Sequence, residues 1–163
     1  MPASTATPTP LDPAIEALDL ATIARAAAYA LKKAHPAVVF TSGRRNKTDQ
    51  ARAMAGNVAK NRQWIAQTYK ASALCTQCQQ WVNQHPEKTT QAEIAAGLVS
   101  VFNAASDGVL GGFSKHLSGE AFDVQPLLQE PEASAVKATI RSLPGLQLFL
   151  DKEGGLVRWH AQF

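Results

Sequence analysis

The segment Ser114-Lys-His-Leu-Ser-Gly-Glu-Ala-Phe-Asp123 contains a histidine followed seven residues later by an aspartate, and a second histidine, His160, lies near the end of the sequence. Imidazole nitrogen and carboxylate oxygen are ligands that zinc prefers. Zinc held by three protein groups keeps a fourth position open for water, which is the arrangement of a hydrolytic site. His116, Asp123 and His160 could therefore bind one Zn²⁺ ion, although each taken singly is better interpreted as a loop histidine, a strand-end carboxylate and a surface histidine, respectively.

The pattern around these residues predicts a small antiparallel sheet. Residues 120–124 form a short apolar run typical of a strand, and residues 37–41 are a β-branched run. Residues 146–163 predict a hairpin whose loop contains Gly154 and Gly155. The predicted fold is α+β, with a small antiparallel sheet carrying the zinc site and surrounded by helices. Its strands are expected near Val38, Phe122, Leu148 and Trp159.

Alternation along the last predicted strand separates a polar face from an apolar one. His160 shares a face with Arg158 and Gln162. The opposite face is predicted to lie in the core and consists of Val157, Trp159, Ala161 and Phe163.

Helix signals fill the rest of the chain. Asp12 followed by Pro13 is typical of a helix start, and Thr90 with Glu93 forms a capping box. Residues 107–113 form a glycine-rich approach to the zinc segment. The predicted helices cover about 12–31, 48–71, 73–84, 90–106 and 131–142.

Bulk properties indicate one domain over residues 12–163 after a disordered lead, residues 1–11. The sequence shows neither a signal peptide nor an apolar run long enough to span a bilayer, so no stable membrane insertion is expected. The net charge is +3 without a basic stripe, which makes nucleic acid a weak candidate partner. Cys75 and Cys78 are expected to be half-buried free thiols, with a disulfide or redox role as the minor alternative.

The segment beginning at Ser114 resembles the signature S-x-H-x-x-G-x-A-x-D at every fixed position. This is the signature of zinc D-Ala-D-Ala carboxypeptidases, D,D-dipeptidases and phage L-alanyl-D-glutamate endopeptidases, which share a core with the hedgehog signalling domain. The resemblance, together with the downstream Trp159-His160, implies that His116, Asp123 and His160 bind one Zn²⁺ ion and that Ser114 contacts the substrate. Upstream, residues 38–45 resemble the family's Ser-Gly-x-Arg segment, which implies that Arg45 binds the substrate and gives weaker support to Gln50.

The sequence departs from this family at one position. Relatives usually have a Glu or Asp three residues before the last zinc histidine, where this chain has Val157. A peptidase also needs a general base, for which Glu153 is the best candidate, although a solvated turn residue is about as good an interpretation. Arg158 is expected to stabilise the developing oxyanion, with an exposed cation on an edge strand as the alternative.

The leading hypothesis is a monomeric, zinc-dependent peptidase that cleaves an amide in the peptidoglycan stem peptide and resembles a phage endolysin. Such an enzyme would be made in the cytoplasm without a signal peptide and would act on the cell wall in the periplasm. Two alternatives stay open. One is a catalytically impaired, zinc-stabilised module that binds the cell wall, and the other is a secreted bacterial toxin that degrades it.

Overall fold

A computed structural model describes residues 9–163, so most of the predicted lead lies outside the described residues. The α+β prediction is confirmed: the described part of the chain forms nine helices and one four-stranded sheet, whose strands pair only antiparallel. In chain order the elements are α1 (Pro13–Glu16), α2 (Thr22–Ala34), β1 (Phe40–Ser42), α3 (Lys47–Val58), α4 (Trp64–Thr68), α5 (Ala73–Gln84), α6 (Gln91–Asn103), α7 (Asp107–Phe113), α8 (Lys115–Ser118), β2 (Ala121–Val124), α9 (Glu132–Arg141), β3 (Leu148–Glu153) and β4 (Leu156–Gln162).

The strand order is β1-β2-β4-β3, and its register aligns polar residues across the sheet. Asp123 on β2 pairs with Ser42 on one side and with His160 on the other. Directly paired residues of antiparallel strands point to the same face. The sheet therefore places these three side chains in one row.

The predicted hairpin joins β3 to β4 through Gly154 and Gly155, which have φ values of 54° and 81°. Two consecutive left-handed residues make the tight turn that matches strand twist, and glycine adopts them without strain. Glu153 is the last residue of β3 and not, as predicted, part of the loop. The register shifts between Leu150 and Lys152, which breaks the alternation of β4.

That irregularity corrects the prediction for Val157. Trp159, Ala161 and Phe163 are buried as predicted, but Val157 is 51% exposed. A bulge places one extra residue of β4 opposite β3. The alternation that buries Trp159, Ala161 and Phe163 is therefore broken before residue 157, and Val157 does not point into the core.

Several helix boundaries also differ from the predictions. The first predicted helix is two helices, because Asp19 adopts a positive φ of 49° between α1 and α2. The predicted 48–71 helix is interrupted between α3 and α4, where the Arg62 guanidinium donates to three carbonyl oxygens at and beyond the end of α5. The glycine-rich residues 107–113, for which the sequence predicted no element, form a helix, since Ser106 caps it and Leu110 is buried.

Two apolar clusters lie on opposite sides of the site. One packs the sheet against α2 and α9, and the other joins helices α3 to α7. Cys75 and Cys78 belong to the helical cluster as buried free thiols, and burial raises the pKa of Cys78 to about 12, so this thiol is unreactive. Along residues 9–163, no helix has the length and apolar character that crossing a bilayer requires.

Candidate metal centre

Three elements bring the predicted ligands together. His116 lies on α8, Asp123 on β2 and His160 on β4, and both histidines are buried. The helix α8 ends at Gly119, whose φ of 77° turns the chain directly into β2. This short helix–turn–strand unit explains why the histidine and the aspartate need a glycine between them.

The ligand atoms have the spacing of a metal site. The Nε2 atom of His116 lies 3.2 Å from Nδ1 of His160 and 3.3 Å from Oδ1 of Asp123, and the last two atoms are 2.9 Å apart. A tetrahedral ion with bonds of about 2.0–2.1 Å has ligand atoms about 3.3 Å apart. The three residues can therefore bind one metal ion with little rearrangement.

Hydrogen bonds on the far ring nitrogens select the tautomers. His116 Nδ1 lies 2.8 Å from the Gly43 carbonyl oxygen, which can only accept, so Nδ1 carries the proton. His160 Nε2 lies 3.2 Å from Gln162 Oε1, also an acceptor. With the proton on the far nitrogen, each histidine can turn a lone pair toward a metal ion in the cluster, as outer hydrogen bonds favour for metal-binding imidazoles.

The second oxygen of Asp123 is held by two donors. The Ser42 hydroxyl donates to Oδ2 at 2.6 Å, and Arg45 Nη2 donates to the same atom at 3.0 Å. These bonds fix the carboxylate plane and leave Oδ1 directed at the histidines. Ser42 and Arg45 are therefore outer-shell partners of the cluster.

The electrostatics of the cluster favour a bound cation. Burial raises the pKa of Asp123, but His116 and His160 lower it by more, so its pKa lies well below the ordinary value. Burial lowers the pKa of His160, and Asp123 together with Glu153 raises it by more, so its net pKa is raised. An ionised carboxylate is the form that binds a divalent metal, and a proton held on His160 would have to leave when the metal binds.

The cluster opens into a cleft of about 730 Å³ between the sheet and the helices. One wall comes from β3 and β4, and the facing wall comes from α3, α4 and the segment joining α7 to α8. Basic side chains outnumber acidic ones among its lining residues, which include Arg45, Lys60, Lys70, Lys115 and Arg158 against Asp123 and Glu153. An anionic ligand therefore fits the cleft better than a cationic one.

Both predicted catalytic residues line this cleft. Burial, reinforced by Asp123, raises the pKa of Glu153, although His160, His116 and Arg45 act in the opposite direction. Arg158 is exposed and donates to Asn57 Oδ1 at 3.4 Å, which links β4 to α3 at the rim of the cleft. Their catalytic roles stay predictions.

The predicted substrate-binding residues also line the cleft, but they are already hydrogen-bonded or buried. Arg45 is bonded to Asp123, to Ser42 and to the side-chain oxygen of Gln50. Gln50 is fully buried and donates to the Tyr69 hydroxyl. Ser114 is 7% exposed and precedes α8. Arg45 and Gln50 thus support the cluster from within, and their contact with a substrate stays a prediction.

Sequence reasoning missed the residues that the helical wall contributes. Tyr69 stacks on Phe113 with ring centroids 4.3 Å apart, and burial raises the pKa of Tyr69, so its phenol stays protonated. Trp64 and Thr68 on α4 face the same cleft. These residues have no motif and no fixed spacing to the ligands, so the sequence gives no signal for them. Ser42 was detectable, since it precedes Gly43 in the segment that contains Arg45.

The other two histidines, His35 and His85, lie outside the cluster. His35 is hydrogen-bonded to Thr139, and His85 stacks on Trp81 with ring centroids 4.3 Å apart. Neither belongs to a group of three or more possible metal ligands among the described residues.

Comparison with known proteins identifies no relative of this chain. No family model, curated protein or solved structure matches this chain. The family resemblance therefore stays a prediction from the sequence, and any function has to be inferred from the residues of the site.

Proposed function

We propose that this protein is a zinc-dependent peptidase of the D,D-peptidase type, with a hedgehog-like core, that hydrolyses an amide bond in the peptidoglycan stem peptide. The observation that supports this most is the His116, Asp123 and His160 cluster, whose ligand atoms have tetrahedral spacing at the base of an open cleft. A purely structural zinc site is normally closed by four protein ligands. A cluster of three ligands in a cleft is the arrangement expected of a catalytic site.

The three ligands would hold Zn²⁺ through one oxygen and two nitrogens. Zinc bound in this way supplies Lewis acidity toward an amide carbonyl and makes water a stronger acid. Ser42 and Arg45 keep the Asp123 carboxylate oriented, and the Gly43 carbonyl keeps the His116 ring oriented. These outer hydrogen bonds orient the ligands for the metal.

Glu153 is the group best placed to move protons. Its carboxylate lines the cleft and is partly shielded from water, which raises its pKa toward the working range of a general base. In the proposed reaction it accepts a proton from the attacking water and delivers that proton to the leaving amine nitrogen. The C–N bond breaks, the C–O bond forms, and Glu153 returns to its ionised state.

The basic lining of the cleft supports the proposed substrate. Stem peptides carry free carboxylates, and Lys60, Lys70 and Arg158 lie on the cleft wall as candidate partners for them. Arg158 would also face a developing oxyanion from the rim. Action on the wall in the periplasm, in the manner of a phage endolysin, belongs to the same proposal.

A zinc-stabilised module that binds the cell wall without cleaving it is the second candidate. The observation that favours it is Val157, an apolar and half-exposed residue at the position where relatives carry the catalytic acid. If Glu153 does not act as the base, the described chain places no other acidic side chain than Asp123 along the cleft.

The deciding experiment is mass spectrometry of soluble products released from purified peptidoglycan by zinc-loaded protein. We expect stem-peptide fragments that disappear with a chelator and return with added Zn²⁺. Glu153→Gln should abolish them while zinc content is unchanged. Glu132→Gln is the matched control, because Glu132 is exposed in the first turn of α9, does not line the cleft and should be dispensable.

Wall binding without fragments, at one zinc per chain, would favour the binding module. Fragments that persist after Glu153→Gln would keep the peptidase but remove Glu153 from its mechanism.

A further inference from the structure

Two buried hydrogen-bond donors lack an acceptor in the described part of the chain. They are the Trp64 indole Nε1 and the Thr68 hydroxyl, which lie four residues apart and so on one face of α4. Buried donors are nearly always paired, because leaving one unpaired is costly. Trp64 is only 3% exposed, so bulk water does not satisfy its indole nitrogen in this conformation.

Both donors pack closely against Gly154 at the tip of the β3–β4 hairpin. A Cβ atom at Gly154 would lie 2.3 Å from Trp64 Nε1 and 2.8 Å from Thr68 Oγ1. The residue directly before Gly154 is Glu153. The two unpaired donors are therefore next to the residue whose carboxylate is proposed as the general base.

Glu153, in turn, is an acceptor that lacks a hydrogen-bond donor. Its carboxylate makes no hydrogen bond or ion pair within residues 9–163, although it is partly buried and lines the same cleft as Trp64 and Thr68. An ionised carboxylate has about four acceptor sites and no donor. It can accept from both side chains and still have a lone pair available for a proton.

We infer that Trp64 and Thr68 are positioning residues that donate to the Glu153 carboxylate and hold it facing the His–Asp–His cluster. This inference rests on the proposed role of Glu153 as the base. A carboxylate at the end of a strand, followed by two glycines, has few neighbours of its own to fix it. Helix α4, on the facing wall, would restrain the Glu153 carboxylate through these two hydrogen bonds. The proposed reaction needs such a restraint, because the base must stay within hydrogen-bond distance of the proton that it accepts.

The first test uses no activity, so it does not depend on the proposed function. The chain has three tryptophans, and Trp64→Phe assigns the Trp64 indole N–H signal in a nitrogen–proton NMR spectrum of the zinc-loaded protein. We expect Glu153→Gln to shift that signal strongly and to leave the signal of Trp81, which stacks on His85 in the helical region, in place. A Trp64 signal that is unchanged in Glu153→Gln overturns the inference.

The second test separates positioning from packing. Trp64→Phe and Thr68→Val remove one donor each and keep most of the volume, whereas Thr68→Ser keeps the hydroxyl. We expect each of the first two to lower kcat about tenfold, a part of the contribution of a general base, with KM nearly unchanged. Thr68→Ser should restore kcat, and zinc content should not change.

Unchanged kcat together with raised thermal stability would mean that the donors are simply unpaired, and it would overturn the inference. A wild-type protein without peptidase activity would overturn the proposed function, while the NMR result would still decide whether Trp64 contacts Glu153.

Discussion

The two walls of the cleft are built in different ways. The sheet wall holds Asp123 and His160 as direct partners across β2 and β4, so their separation is fixed by register. The helical wall presents Trp64, Thr68 and Tyr69, whose positions depend on how α4 and the loop after it pack against the hairpin tip and Phe113. One wall is determined by hydrogen bonding between strands, and the other is determined by side-chain packing.

This difference explains why the metal ligands have a sequence signature and the residues of α4 and the loop after it have none. A metal tolerates few ligand types and a narrow range of distances, so its site requires particular residues at particular spacings. A wall that only shapes a cleft or donates a hydrogen bond can be built from many residues on any helix that reaches it. Metal binding should therefore depend on His116 of α8 and on residues of the sheet, whereas the packing of α4 should affect stability at the hairpin tip.

The largest effect is expected from His116→Ala. Removing one of three ligands should lower zinc affinity by more than the factor of about 10 to 100 that outer-shell partners contribute. His85→Ala is the matched control, because His85 stacks on Trp81 outside the cluster and its loss should leave zinc affinity unchanged. Isothermal titration calorimetry measures both. Equal affinities for the two variants would show that the cluster is not the zinc site.

The hairpin tip gives a matched pair of glycine substitutions. Gly154→Ala and Gly155→Ala both place alanine at positive φ, which costs about 1–2 kcal/mol of unfolding free energy. Only Gly154→Ala also brings a methyl group within 2.2 Å of the Trp64 ring, which adds about 1–3 kcal/mol. Urea denaturation should rank Gly154→Ala as the less stable. Equal stabilities would mean that the tip does not pack on α4.

Ser42→Ala tests the outer shell of the sheet wall. The variant loses the 2.6 Å hydrogen bond to Asp123 Oδ2 and retains the one from Arg45, so zinc affinity should fall about tenfold. Ser100→Ala removes a hydroxyl that donates to the Gly97 carbonyl within α6 and should not change zinc affinity. A similar loss in both variants would argue against a specific role for Ser42.

The smallest effect concerns pH and the helical region. Hydrogen bonds from Thr90 lower the pKa of Glu93 in the capping box of α6. A lowered pKa stabilises the fold at neutral pH, and this contribution is lost as the pH falls below about 4. Glu93→Gln should therefore be slightly less stable than wild type at pH 7, and the difference should vanish near pH 3 when metal-free protein is unfolded in urea. A difference that does not depend on pH would contradict the ionic cap.

Prediction from sequence succeeded where local chemistry or a short period sets the structure. The capping box at Thr90 and Glu93, the end of α5 at His85 and the hairpin glycines are local signals, and each is confirmed. Prediction from sequence failed where packing between distant residues overrides the local helix signal. The helix break at Asp19 lets the chain pass close to the loop that contains Gly43. The approach is so close that a Cβ atom at Gly43 would lie 2.6 Å from the Leu18 side chain.

The sequence by itself determined the antiparallel α+β fold and the three residues that could bind a metal, because strand alternation and ligand chemistry act through residue type and spacing. Only the tertiary structure decided that Arg45 and Ser42 hold Asp123, that Val157 lies outside the core, and that α4 lies against the hairpin next to Glu153. Those features come from a strand bulge and from helix packing between residues far apart in the chain. No local pattern of residues records such contacts.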